Sequence, residues 1–154
     1  MLVIATPNWN AAGAGGTYLN HAIGVWYDGS RRRWAVFNQD RAEMPDGVAF
    51  DIELAGTGAL AWVHRATANI AGNSTYLDHP RANANPAAIL LVTPNWNPNG
   101  ARGTYHVHHI GVWYDARVGR WAIFNQDLAA MLAGPEFTSR WRWGQPHSCT
   151  ARPV

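Results

Sequence analysis

Residues 93–127 read TPNWNPNGARGTYHVHHIGVWYDARVGRWAIFNQD, and residues 6–40 read TPNWNAAGAGGTYLNHAIGVWYDGSRRRWAVFNQD. The second stretch follows the first at a constant offset of 87 residues with no gap. Carried on to Phe50 and Phe137, the alignment covers 45 positions, of which 28 are identical. One unit has been duplicated. Residues kept in both copies matter to the unit, so the chain supplies its own comparison.

Each copy reads as β-structure. Residues 23–28 and 33–38 are rich in aromatic and β-branched side chains, with Asp28, Gly29 and Ser30 as the turn between them. Alternation places Ile23, Val25 and Tyr27 on one face, and Trp26 and Asp28 on the other. The same hairpin is expected at 110–115 and 120–125. Residues 2–5 form a short apolar strand ending at Pro7, matched by 88–92 before Pro94. The turn of Pro98, Asn99 and Gly100 leads to Gly103, Thr104 and Tyr105, where extended structure resumes, as at Gly16, Thr17 and Tyr18. Residues 39–44 are expected as one short helical turn, 50–54 and 60–66 as strands, and 69–86 as a long polar loop. Within that loop, 74–79 echo 16–21. Trp141 and Trp143 flank Arg142 on one face of a last strand.

Many short strands with no 3.6-residue period predict an all-β chain. We expect one domain over 1–154, with repeats 2–54 and 89–141 joined by 55–88. The predicted architecture is a pseudo-twofold sandwich or small barrel, with a β-trefoil as the alternative.

Composition narrows the function. Hydrophobic residues make up 47% of the chain, which excludes intrinsic disorder, and charged residues only 14%. The surface must therefore rely on amides, hydroxyls and backbone groups. A net charge of +2 does not imply a nucleic-acid partner. The densest basic run, Arg31, Arg32 and Arg33, becomes Val118, Gly119 and Arg120 in the second copy. The single cysteine, Cys149, allows no intrachain disulfide. No apolar run approaches the length of a membrane span. The opening MLVIATPNWN lacks the basic and long apolar segments of a signal peptide.

The repeated polar and aromatic residues form the candidate site. In TPNWN, asparagine caps a corner beneath which tryptophan packs, or else an indole platform stands beside amide donors and acceptors. Asn38, Gln39 and Asp40, with Asn125, Gln126 and Asp127, either order the turn at the hairpin exit or present paired groups to a hydroxylated ligand. The expected ligand contacts are Trp9, Asn10, Trp26, Asp28, Asn38 and Gln39, with Trp96, Asn97, Trp113, Asp115, Asn125 and Gln126. His106 and His108 are the weak metal candidates, since alternate strand residues share a face. In the first copy His106 becomes Leu19 and His109 becomes Ala22, so on these residues a metal site in both halves is excluded. His21 and His108 with nearby aspartates offer candidate bases, but no nucleophile motif accompanies them, so no catalytic residue and no cofactor are expected.

The phrases TPNWNPNG, HHIGVWYD, RWAIFNQD and NSTYLDHPRANANPAAILLVTPNWN resemble an uncharacterised bacterial family. Its members carry tandem units with NWNP, HPIGVWYD and WAIFNQD signatures. The resemblance spans about residues 2–137 and implies a shared β-rich unit and a secreted setting. It transfers no site residue. The chain departs from the pattern at Ala11, at Ala22 and His109 where proline is usual, and throughout the tail.

The expected function is a non-catalytic binding module, lectin-like, with two similar sites for a glycan or cell-surface polymer. Flat sugar faces stack on indole while amides grip hydroxyls. A structural or adhesive module is the first alternative. A membrane-active, toxin-like protein is the second, resting on the Trp141–Trp143 tail.

Overall fold

A computed structural model describes residues 1–142 apart from 12, 14, 59 and 99. The described chain is all-β. Its strands, in order, are β1 (Leu2–Pro7), β2 (Ile23–Asp28), β3 (Arg33–Asn38), β4 (Phe50–Ala55), β5 (Ala61–Arg65) and β6 (Ile70–Ala71). They continue as β7 (Ser74–Tyr76), β8 (Ile89–Pro94), β9 (Ile110–Asp115), β10 (Arg120–Asn125) and β11 (Glu136–Arg142).

The pairing follows the 87-residue offset. β1 lies antiparallel to β4 with Pro7 opposite Phe50, and β8 lies antiparallel to β11 with Pro94 opposite Phe137. The β2–β3 hairpin pairs Ile23 with Asn38, and β9–β10 pairs Ile110 with Asn125. The linking segment then enlarges the second half alone. β5 pairs with the free side of β11, and β6–β7 adds to β10.

The main apolar cluster follows from that addition. It gathers Leu77, Leu90, Ile123, Met131, Phe137 and Trp141 from the linker and the second copy. The first half has a smaller cluster of Val3, Ala5 and Val25, closed by Ile23, Trp34 and Val36.

The halves meet where β8 leaves its sheet. Asn95 bridges Val25 in parallel, and the Trp96 amide donates to the Val25 carbonyl at 2.9 Å. The Thr93 hydroxyl takes the Ala5 amide at 3.0 Å. Glu53 on β4 is ion-paired with Arg140, its own counterpart 87 residues on, at 2.7 Å, and also with Arg142. The Glu53–Arg140 ion pair joins equivalent positions of the two sequence copies.

Several expectations change. The four sheets of the described residues stay open and form no closed barrel, so neither the small barrel nor the trefoil is built; a sandwich-like arrangement is compatible with them. Residues 39–44 contain no helical turn: Asn38 and Asp40 hold them instead, with Arg41 at φ 65°. The stretch 69–86 contains β6 and β7, because 74–76 find an open edge on β10. Residues 16–18 and 103–105 are irregular, not strands. Trp143 and Cys149 lie outside the described residues.

Candidate functional site

The repeated asparagines at the hairpin exits look inward. Asn38 is 3% exposed and its Nδ2 donates to the carbonyls of Ala42 and Glu43 at 3.2 and 3.1 Å. Asn125 is fully buried and donates to Ala129 and Ala130 at 2.9 and 3.3 Å. An amide serves here because it can hold two carbonyls of an irregular turn that no ladder satisfies.

The aspartates that follow complete the turn. Asp40 accepts the Ala42 amide and, at 2.6 Å, the Nδ1 of His21; Asp127 does the same with Ala129 and His108. The Ala42 amide and then His21 hold the Asp40 carboxyl below the usual carboxylate range. For Asp127, His108 comes first and then the Ala129 amide.

The hairpin-turn aspartates are also committed. Asp28 accepts from the Ser30 hydroxyl and amide and from Arg31, and these bonds, led by the Ser30 hydroxyl, drive its pKa far down. Asp115 accepts the Tyr76 hydroxyl at 2.7 Å and the Arg117 amide. It thereby ties the linker strand to the second hairpin, and the Tyr76 bond leads the lowering of its pKa.

A third group joins the halves. Asn97 Oδ1 accepts the Tyr27 amide at 2.8 Å, and its Nδ2 donates to the Tyr27 carbonyl at 2.9 Å. This side chain acts as one rung of a β-ladder. Gln39 is 1% exposed, and its Oε1 accepts the His106 amide at 3.1 Å. Trp26 meets Trp96 edge-on at 6.4 Å, and Trp96 meets Tyr105 at 5.7 Å.

Counterparts of this third group behave differently. Asn10 is exposed, and its Oδ1 accepts the nearby Gly15 amide at 2.7 Å. Gln126 is exposed. Trp9 is 45% exposed and stacks on Tyr18, itself 79% exposed, at 5.2 Å. Trp113 is 39% exposed over a shallow hollow with Asn73, Ser74 and Phe124. Of the twelve expected ligand contacts, Trp9, Asn10, Trp113 and Gln126 are the four that stand exposed. They do not assemble with the other eight into two like sites.

One concavity was missed from sequence. A cleft of about 310 Å³ lies between the halves, with Thr6, Pro7, Thr93 and Pro94 on its walls and His21 and His108 in its lining. The signal was present in the chain, since each histidine precedes its aspartate by 19 residues in both copies. Each Nδ1 is fixed by a carboxylate, which orients the ring, as in metal and catalytic histidines. Among the described residues, however, no three metal-ligating groups converge. The His106 ring lies 5.5 Å from that of His108. His106 is 3% exposed, and burial, then the neighbouring His108, pushes its pKa down to about 4. No helix among the described residues is long and apolar enough to cross a membrane.

A family model described as a domain of unknown function (DUF7452) matches the chain over residues 1–54 and 24–139. No curated protein and no solved structure matches it.

Proposed function

The chain belongs to the DUF7452 family, domains of unknown function, and from that footing we propose that it is a non-catalytic structural or adhesive module. One observation carries the reading: four of the repeated amide side chains, Asn38, Gln39, Asn97 and Asn125, are spent on the chain's own backbone. Asn97 replaces a strand rung at Tyr27, Gln39 holds His106, and Asn38 and Asn125 each cap two carbonyls. A ligand competing for these groups would have to break the fold's own bonds, which are buried or part-buried and costly to leave unmade.

The test is Asn97→Ala. It strands the Tyr27 amide and carbonyl, and we expect a loss of about 2–3 kcal/mol. Thermal melting should register this, with the folded baseline unchanged. An unchanged melting temperature would remove the structural role.

A second reading keeps the carbohydrate partner, because the Trp9–Tyr18 stack and Trp113 offer open aromatic faces. There, Trp9→Ala and Trp113→Ala abolish retention on a glycan array while leaving melting nearly unchanged. An array silent with folded protein counts against it.

A further inference from the structure

The joint between the halves uses two surfaces, and each surface occurs twice in the chain. The docking segment is TPNWN, at 93–97 and again at 6–10. The receiving edge is IGVWYD, at β9 as at β2. Only one combination is used: segment 93–97 on β2. Among the described residues, no strand or segment pairs with segment 6–10 at Trp9 and Asn10 or with the outer edge of β9. We propose that segment 6–10 of one molecule docks on β9 of a second copy of this chain. The proposal rests on the structural reading above and names its partner.

Both open surfaces are already in their docking shape. The Asn8 amide donates to the Ala49 carbonyl at 2.8 Å, as the Asn95 amide does to Glu136 at 2.8 Å. Asn8 Nδ2 reaches Asp51 at 3.0 Å, as Asn95 Nδ2 reaches Thr138 at 3.0 Å. The Gly13 amide closes on the Asn10 carbonyl as Gly100 closes on Asn97. β9 pairs with β10 in the register of β2 with β3. The backbone is thus set in advance, and binding has to redirect the Asn10 and Trp9 side chains.

The made joint specifies the unmade one atom by atom. The Trp96 amide donates to the Val25 carbonyl, and Trp9 would donate to Val112. Asn97 bridges the Tyr27 amide and carbonyl, and Asn10 would bridge those of Tyr114. Trp96 packs on Trp26, and Trp9 would pack on Trp113. To make these contacts Asn10 Oδ1 gives up the Gly15 amide and Trp9 its stack on Tyr18, while the Trp9 and Tyr114 amides have no acceptor among the described residues. The five segment residues and six edge residues are identical in both copies, so chemical fit needs no foreign partner. Burial shows the difference. Thr93, Asn95 and Asn97 are 1, 1 and 7% exposed, whereas Thr6, Trp9 and Asn10 are exposed.

Within one molecule the two open surfaces do not meet. Ile4 and Thr6 stand across a groove of about 200 Å³ from Val92, Ile110 and Val112. Four bonds of the made joint fix the halves in that relation: Ala5–Thr93, Val25–Trp96, Tyr27–Asn97 and Gln39–His106. An edge strand with open amides is also a template for another chain. The contact is heterologous, so it reciprocates in a dimer or runs on as a chain.

Sedimentation velocity and light scattering on the full chain, from about 10 μM to about 1 mM, test this in the range expected of a small interface. We expect the average mass to rise at least twofold above the monomer. Asn10→Glu, at an exposed side chain, and Tyr114→Pro, at an amide pointing away from β10, should each remain monomeric. Mixed one to one they should form a dimer and go no further, because each retains the face the other has lost. Should Tyr114→Pro lose its circular-dichroism signature, Trp113→Gln replaces it and leaves the backbone intact. Wild-type monomer throughout, or association untouched by Asn10→Glu, overturns the proposal. Either result leaves the structural reading to the melting of Asn97→Ala, which is measured on dilute monomer.

Discussion

At the scale of single residues, the two histidines buried among the described residues set the response to acid. His64 is 7% exposed beneath Phe137, its Nε2 bonded to the Thr75 hydroxyl, and burial pushes its pKa to about 4. His106 is shifted likewise. Both are neutral when folded and gain a proton on unfolding below their ordinary value of 6.5. Their contribution is therefore complete above 6.5 and is lost as pH falls toward 4. At pH ~5 the loss is about 2 kcal/mol for each. The lowered carboxyls of Asp40 and Asp127 act in the same direction, at lower pH. We expect the melting temperature to fall between pH 7 and 5, and His106→Leu, which restores the first copy's residue, to remove about half of that fall. A drop unchanged in the variant would show that His106 does not titrate on unfolding.

At the scale of elements, the hairpins were legible in the sequence and their exits were not. Residues 23–28, 33–38, 110–115 and 120–125 were read to the residue, because alternation, aromatic content and a turn signal all agree there. Residues 39–44 suggested a helical turn because polar side chains with alanine and methionine fit one. The actual turn depends on Asn38 and Asp40 reaching carbonyls and amides four and two residues ahead. Its backbone passes through positive φ at Arg41 and Leu128, both at 65°. Leu128 is 78% exposed, so it loses no packing on substitution. Leu128→Gly relieves the left-handed conformation and should raise stability by about 0.5–1 kcal/mol in urea unfolding. Leu128→Ala should give no such gain; equal effects would place the benefit elsewhere. β6 and β7 were hidden for another reason. Residues 70–76 are short and polar, and only the open edge of β10 makes strands of them.

At the scale of the molecule, the duplication exposed the candidate residues but not their partners. A residue kept in two copies is equally expected of a ligand contact and of a structural bond. Asn10 and Asn97 show why sequence alone could not decide: the same residue in the same motif is exposed in one half and 7% exposed in the other. What differs is whether an edge strand lies against it, a tertiary fact with no local signature. Gln39 and Gln126 differ for the same reason. The linker compounds this by giving only the second half its β5 and β7.

Amide hydrogen exchange on dilute wild-type protein reads the joint between the halves donor by donor. The Tyr27 and Trp96 amides donate across the joint between the halves. Their counterparts, Tyr114 and Trp9, have no acceptor among the described residues. The account predicts strong protection at Tyr27 and Trp96, with Tyr114 and Trp9 exchanging at least tenfold faster, a ratio worth about 1.4 kcal/mol of opening free energy. Equal, rapid exchange at all four amides would contradict it, because the repeated asparagine would then hold nothing together.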